Sequence, residues 1–139
     1  MINGVLNVYK EKGYTSHDVV AKLRGILRQK KIGHTGTLDP EAEGVLPVCL
    51  GKATKLCELL TDKTKTYEAV LRFGIVTDTQ DMTGKVLEEH PVSVTDEEVE
   101  RTILSFLGEQ EQIPPMYSAL KVNGRKLYEL AREGKEFER

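Results

Sequence analysis

Residues 31–47, Lys-Ile-Gly-His-Thr-Gly-Thr-Leu-Asp-Pro-Glu-Ala-Glu-Gly-Val-Leu-Pro, hold three glycines and two prolines. That density of turn formers denies the stretch one continuous helix or strand and predicts a loop between regular elements. Gly33, Gly36 and Gly44 let the backbone take turns that a Cβ resists. Pro40 biases Asp39 towards extended backbone and stops any helix there. The loop carries an imidazole, His34, and a carboxylate, Asp39, with two threonine hydroxyls between them. An irregular stretch of roughly a dozen residues marks function in a compact domain. This one is built to hold Asp39 in a fixed pose.

Before the loop, residues 5–9 are a short apolar run of strand type, closed by the charged turn Lys10-Glu11-Lys12-Gly13. Thr15 or Ser16 caps a helix reaching about Leu27, with Asp18 placed for the N-terminal dipole. Val19, Val20, Leu23, Ile26 and Leu27 form its core stripe. After the loop, residues 45–50 read as a buried strand despite Pro47, and Gly51 ends it. Residues 54–60 predict a short helix. Residues 65–73 have strand composition, with Tyr67, Ala69, Leu71 and Phe73 on one face. Residues 74–84 read as a loop or hairpin connection and residues 85–89 as a weak strand.

Thr95-x-x-Glu98 is a capping box. The helix it opens is expected to bury Val99, Ile103, Phe106 and Leu107 and to end at Gly108. The prolines of residues 112–121 exclude a central strand or helix there, and Asn123-Gly124 is a hairpin turn signal. Residues 126–132 predict a last helix, stopped by Gly134. Interleaved helices and antiparallel-capable strands give an α+β fold class, a mixed, mainly antiparallel sheet with flanking helices.

With 139 residues, 39% hydrophobic and 30% charged, the chain has the composition of one globular domain or a piece of one. No apolar run reaches the roughly 20 residues of a membrane span, and the N-terminus lacks a signal-peptide core, so a cytoplasmic location is expected. Cys49 and Cys57 are not spaced as metal ligands and read as buried thiols. The net charge is −2. Its distribution is uneven, with basic residues at Arg24, Arg28, Lys30 and Lys31 and again at Lys121, Arg125, Lys126, Arg132 and Lys135. Acid lies between them, so a basic face can exist despite the near-neutral sum.

His17, His34 and His90 are too scattered for a metal site, and no nucleophile-elbow or phosphate-loop pattern occurs. Asp39 remains as a lone carboxylate nucleophile or base. On the residues alone, Asp39-Pro40 reads as readily as a turn, His34 as a hydrogen-bonded spacer, Tyr67 as strand packing and Lys121 with its neighbours as solvated surface.

The longer motifs carry more. Residues 33–40 (Gly-His-Thr-Gly-Thr-Leu-Asp-Pro), with Ala42, Gly44-Val45-Leu46-Pro47 and Gly51-Lys52-Ala53-Thr54-Lys55, resemble the signature of the TruB-type tRNA pseudouridine-55 synthases. Gly13-Tyr14-Thr15-Ser16 with Val19-Val20 resembles that family's N-terminal motif, and Lys65-Thr66-Tyr67 falls where the family has its tyrosine strand. Residues 112–121 with Gly124, Leu127, Tyr128, Ala131 and Gly134 resemble its RNA-clasping thumb region, about 112–134. The resemblance covers the chain from about Gly4 to its end.

The resemblance implies the pseudouridine synthase catalytic fold and isomerisation of a uridine in the tRNA T-loop, with tRNA as partner, no cofactor, no metal, no membrane and a monomer. Asp39 would be the nucleophile, with ring and ribose both open as its point of attack. His34 would help flip or hold the extruded nucleotide, and Tyr67 would stack on the target base, with a part in proton removal at C5 also open to it. Lys121, Arg125 and Lys126 would grip the phosphate backbone. Extrusion is the usual solution when chemistry targets a base.

Two departures stand out. Glu11 replaces the proline of the family's Lys-Pro-x-Gly. The family's later catalytic strands, with an arginine that pairs with the aspartate, and its small RNA-binding domain do not appear in residues 1–139, so a fragment of a larger protein is expected. Three rivals remain on sequence alone. They are a non-catalytic RNA-binding or RNA-folding module, a dyskerin-like guide-RNA enzyme acting on ribosomal RNA, and a carboxylate-dependent hydrolase needing a second acid near Asp39. The Tyr117-Ser118-Ala119-Leu120 stretch favours the stand-alone tRNA enzyme over the guide-RNA one.

Overall fold

A computed structural model describes residues 1–61, 63–118 and 120–136. Ala119, in the thumb motif, and the last three residues of the expected domain lie outside the described residues. The chain divides into two compact units, Met1–Glu68 and Ala69–Arg139.

The first unit is a three-stranded antiparallel sheet with one long helix. Strand β1 (Gly4–Lys10) and the short β2 (Ile32–His34) flank β3 (Gly44–Leu50), giving the order β1-β3-β2. Helix α1 (Ser16–Leu27) connects β1 to β2. It starts at Thr15, whose side chain accepts from the Asp18 N–H while the Asp18 carboxylate accepts from the Thr15 N–H, both at 2.9 Å. The helix thus begins at the expected residue, and Asp18 does more than complement the dipole. Thr15→Ala should cost about 1 kcal/mol of stability, read as a lower urea midpoint at unchanged slope.

Val19 and Val20 of α1 meet Ile32, Leu38, Leu46, Val48 and Leu50 in one buried cluster, with Val8, Tyr14, Leu23, Leu27 and Ala42 packed around it. Ile26 does not join them; it is exposed at the rim of the stripe, in the helix's last turn.

Part of the stretch expected to be loop is strand. Ile32, Gly33 and His34 pair with Leu50, Cys49 and Val48, so the irregular segment shortens to residues 35–43. Pro47 is tolerated in the central strand because β2 has ended beside it. The Thr35 N–H and Thr35 Oγ1 both donate to the Pro47 carbonyl, at 3.1 and 3.0 Å, and the missing proline N–H faces that same side, so the ladder to β1 loses nothing.

After β3 the expected single helix is two elements, a 3-10 helix over Gly51–Leu56 and then α2 (Cys57–Thr61). Gly51 is required at their start. Its φ is +58°, and a Cβ there would lie 2.2 Å from Asn3 Oδ1 and 2.6 Å from the Ile2 carbonyl oxygen.

Residues 65–73 correct a second expectation. They form no strand, and Tyr67, Leu71 and Phe73 are exposed. The alternating pattern is there, but among the described residues no strand supplies the ladder that would use it.

In the second unit, β4 (Ile75–Thr77) and β5 (Val86–Glu89) form a hairpin, with β4 inside the stretch read as loop. Helix α3 (Asp96–Leu104) has the expected capping box between Thr95 and Glu98. Its expected apolar stripe is not core: Val99 is half-buried, Ile103 is exposed, and Phe106 and Leu107 are exposed beyond the helix, which ends at Leu104 before Gly108. This unit's buried cluster is instead Met116, Leu127 and Leu130, which α3 does not line. β6 (Lys121–Val122) and β7 (Arg125–Lys126) turn through Asn123 and Gly124, both at positive φ, as a type I′ hairpin demands. Helix α4 (Leu127–Arg132) follows. The Gly134 N–H donates to the Ala131 carbonyl and the Lys135 N–H to the Leu130 carbonyl, a Schellman ending.

The fold is α+β with antiparallel sheets and helices, as the sequence predicts. Among the described residues, no helix is long and apolar enough to cross a membrane.

Candidate active site

Asp39 sits at the head of a β-turn. The Ala42 N–H donates to the Asp39 carbonyl at 3.0 Å, with Pro40 as the second residue, where its fixed φ favours the turn. The residues on either side of the carboxylate are tied down. Leu38 is buried in the core, and its N–H donates to Ser16 Oγ at 3.0 Å, from the first turn of α1. The Pro40 carbonyl accepts from the Gly13 N–H at 2.8 Å and from Lys10 Nζ at 3.2 Å. The Asp39 side chain itself is exposed and, among the described residues, forms no hydrogen bond or ion pair. A rigid backbone carrying an unengaged carboxylate is the arrangement a nucleophile needs.

Lys10 is the residue that sequence reasoning missed, because it reads as part of a charged surface turn. Its side chain is fully buried. Nζ donates to three main-chain carbonyls, those of Glu11 (3.0 Å), Tyr14 (2.7 Å) and Pro40 (3.2 Å). The only available signal was its place at the end of β1, where strand alternation points it to the same side as Leu6 and Val8.

His34 closes β2, half-buried, with Nδ1 2.7 Å from the Gly36 carbonyl. A carbonyl can only accept, so Nδ1 carries the proton, and Nε2 is the acceptor in the neutral ring. Tyr67 is 60% exposed, with its ring uncommitted to the core. The segment it belongs to passes the loop, for Lys65 Cε lies 3.3 Å from where a Gly36 Cβ would stand. The first unit therefore holds Asp39, His34 and Tyr67. Glu43, a carboxylate of the same loop, lies near Tyr9 and holds its hydroxyl above the ordinary range.

Lys121, Arg125 and Lys126 belong to the second unit, on the β6–β7 hairpin. Lys121 and Arg125 are exposed and Lys126 is half-buried. Lys126 and Arg132 both lie over the Tyr128 ring, at 5.4 and 5.3 Å from its centroid. Arg125 is ion-paired to Glu133, with Nη1 3.2 Å from Oε2, and Lys135 reaches the same carboxylate at 3.0 Å. Hydrogen bonds from Arg125 and Lys135 hold Glu133 down at about 2. That folded value is below the ordinary one, so the pairing is intact above about 4.5 and is lost as pH falls towards about 2.

The family model for the N-terminal domain of TruB family pseudouridylate synthases matches residues 24–139. The chain belongs to that family. Among its TruB relatives, the tRNA pseudouridine synthase B of Lachnoclostridium phytofermentans is 70% identical over 138 residues, covering 99% of this chain and 45% of its own length. That of Bacillus subtilis is 57% identical over 141 residues, covering 100% and 46%. Of solved structures, a chain in a crystal structure of a Cbf5-Nop10-Gar1 complex matches with a TM-score of 0.54 at 31% identity, covering 85% of this chain and 31% of that one. The chain thus spans about half the length of the curated TruB relatives it matches.

Proposed function

We propose that this chain is the N-terminal portion of the catalytic domain of a tRNA pseudouridine synthase that converts a T-loop uridine, at position 55, to pseudouridine. Residues 112–134 serve as its RNA-clasping thumb. The observation that carries this reading is Asp39, an unengaged carboxylate on a turn whose flanks Ser16, Gly13 and Lys10 hold. Relatives at 53–70% identity are tRNA pseudouridine synthases B, which favours tRNA over a guide-RNA substrate.

The chemistry asked of these residues is modest in parts. The N1–C1′ bond of uridine breaks, the detached base turns, and a C5–C1′ bond forms; the C5 proton leaves and N1 gains one, so nothing is oxidised or reduced. Asp39 supplies the nucleophile. The exposed Tyr67 ring stacks on the base and keeps it from diffusing away while it is detached. His34, fixed through Nδ1, holds the extruded nucleotide. No cofactor or metal enters these steps. The protein acts as a cytoplasmic monomer on the tRNA T-arm.

The test is tritium release from a T-arm hairpin carrying 5-tritiated uridine, using the full-length protein. Release with pseudouridine formed at position 55 supports the reading. Binding of the hairpin without release overturns it in favour of an RNA-binding module.

Lys121, Arg125 and Lys126 contact phosphates in this reading, but Arg125 is already engaged by Glu133. Glu133→Gln should therefore tighten hairpin binding and steepen its salt dependence by about one phosphate contact between about 50 and 200 mM salt. Fluorescence anisotropy titrations measure both. Unchanged slopes would remove Arg125 from the RNA-contacting set.

A further inference from the structure

The two cysteines lie eight positions apart in sequence and belong to different elements, Cys49 to β3 and Cys57 to the start of α2. The fold brings them to one spot. Gly33 is the direct partner of Cys49 in the β2–β3 ladder, and partners across a ladder project their side chains from the same face, about 5 Å apart. A Cβ on Gly33 would stand 3.0 Å from Cys57 Sγ. The Cys57 thiol thus fills the seat that a side chain at Gly33 would take, next to Cys49.

The two thiols differ in access. Cys49 is fully buried and Cys57 is half-buried. They also sense each other, since burial and then the Cys57 thiol push Cys49 up to about 11. Neither has a part in the chemistry assigned to Asp39.

We propose that Cys49 and Cys57 are an oxidisable pair that closes a reversible disulfide over Gly33, joining β3 to α2. The oxidant is a peroxide. The Cys57 thiolate, which solvent can reach, attacks one peroxide oxygen; an S–O bond forms, the O–O bond breaks, and the departing hydroxide takes up a proton as water. Cys57 is then a sulfenic acid. The Cys49 sulfur attacks the Cys57 sulfur; the S–S bond forms, the S–O bond breaks, and the hydroxyl leaves with the Cys49 proton as a second water. Two thiols lose two electrons and one peroxide gains them.

The asymmetry sets the order. Cys49 stays protonated and shielded, so it acts only as the resolving thiol once Cys57 has been activated beside it. The bond would fasten the start of α2 against the strand pair whose next residue after Gly33 is His34, so oxidation reaches the candidate site through its scaffold. The inference rests on the position of the thiols and is independent of the role given to Asp39.

The test is peroxide treatment of the purified full-length protein, followed by alkylation of remaining thiols under denaturing conditions and peptide mass mapping. The expected product is a Cys49–Cys57 cross-linked peptide, lighter by two hydrogens, reversed by dithiothreitol. Its yield stays constant over about a tenfold dilution of the protein, as for a reaction within one molecule. Cys57→Ser abolishes the link and leaves Cys49 open to alkylation, because the buried thiol is not reached directly. Cys49→Ser leaves Cys57 as a sulfenic or more oxidised acid. The proposal is overturned if Cys57 of the parent protein goes on to sulfinic acid while Cys49 is alkylated. A dimer linked through Cys57 whose yield rises with protein concentration overturns it too, as does full alkylation of both cysteines.

Discussion

Asp39→Asn is expected to lower tritium release from the T-arm hairpin by on the order of 10⁴-fold or more, as removal of a covalent nucleophile does. The fold should be untouched. The Asp39 carboxylate is exposed and unpartnered among the described residues, and surface changes away from caps and cores usually shift stability by under about 0.5 kcal/mol. The turn is held through main-chain groups at Leu38, Asp39 and Pro40, all of which asparagine leaves in place. The variant therefore separates charge and nucleophilicity from shape. Asp39→Glu makes the complementary test. It keeps the charge but advances the carboxylate by one methylene, and a displacement of about 1 Å in a positioned group can cost on the order of 10²-fold. Hairpin affinity should barely change in either variant, since Asp39 carries no phosphate contact. An asparagine variant that releases tritium at the parent rate would remove Asp39 from the chemistry.

What was legible in the sequence was whatever local chemistry decides. Thr15 with Asp18, Thr95 with Glu98 and Asn123-Gly124 each satisfy backbone groups within a few residues, and the structure places all three as expected. The loop around Asp39 was legible for the same reason, though Ile32–His34 was not, because a three-residue strand exists only through its partner β3. The failures share that cause. Residues 65–73 have the alternation of a strand, and α3 has the stripe of a packed helix, yet pairing and burial depend on neighbours that local pattern does not specify. The site divides the same way. Asp39 and His34 could be picked out as reactive groups in a loop rich in turn formers, whereas Lys10 could not, since the groups that justify burying it come from Tyr14 and Pro40.

Lys10→Met is the variant that tests that hidden support. Methionine keeps most of the apolar stem and removes the ammonium, leaving the Glu11 and Tyr14 carbonyls without their Nζ donor and Pro40 with the Gly13 N–H alone. Hydrogen bonds from a charged donor contribute about 1.5–3 kcal/mol each, and three are lost here at part-buried carbonyls, so a loss of about 3 kcal/mol in urea unfolding is expected. The folded fraction should also be slow. With one of its two ties to Pro40 gone, the Asp39 turn gains freedom, and the single-turnover rate at saturating hairpin should fall while the dissociation constant holds. Lys10→Arg should not rescue either property, because a planar guanidinium directs its donors outward in a fork, whereas the three carbonyls converge on one nitrogen. A Lys10→Met protein as stable and as fast as the parent would show that the three carbonyls find other donors and that the pose of Asp39 is held by Ser16 and Gly13 without it.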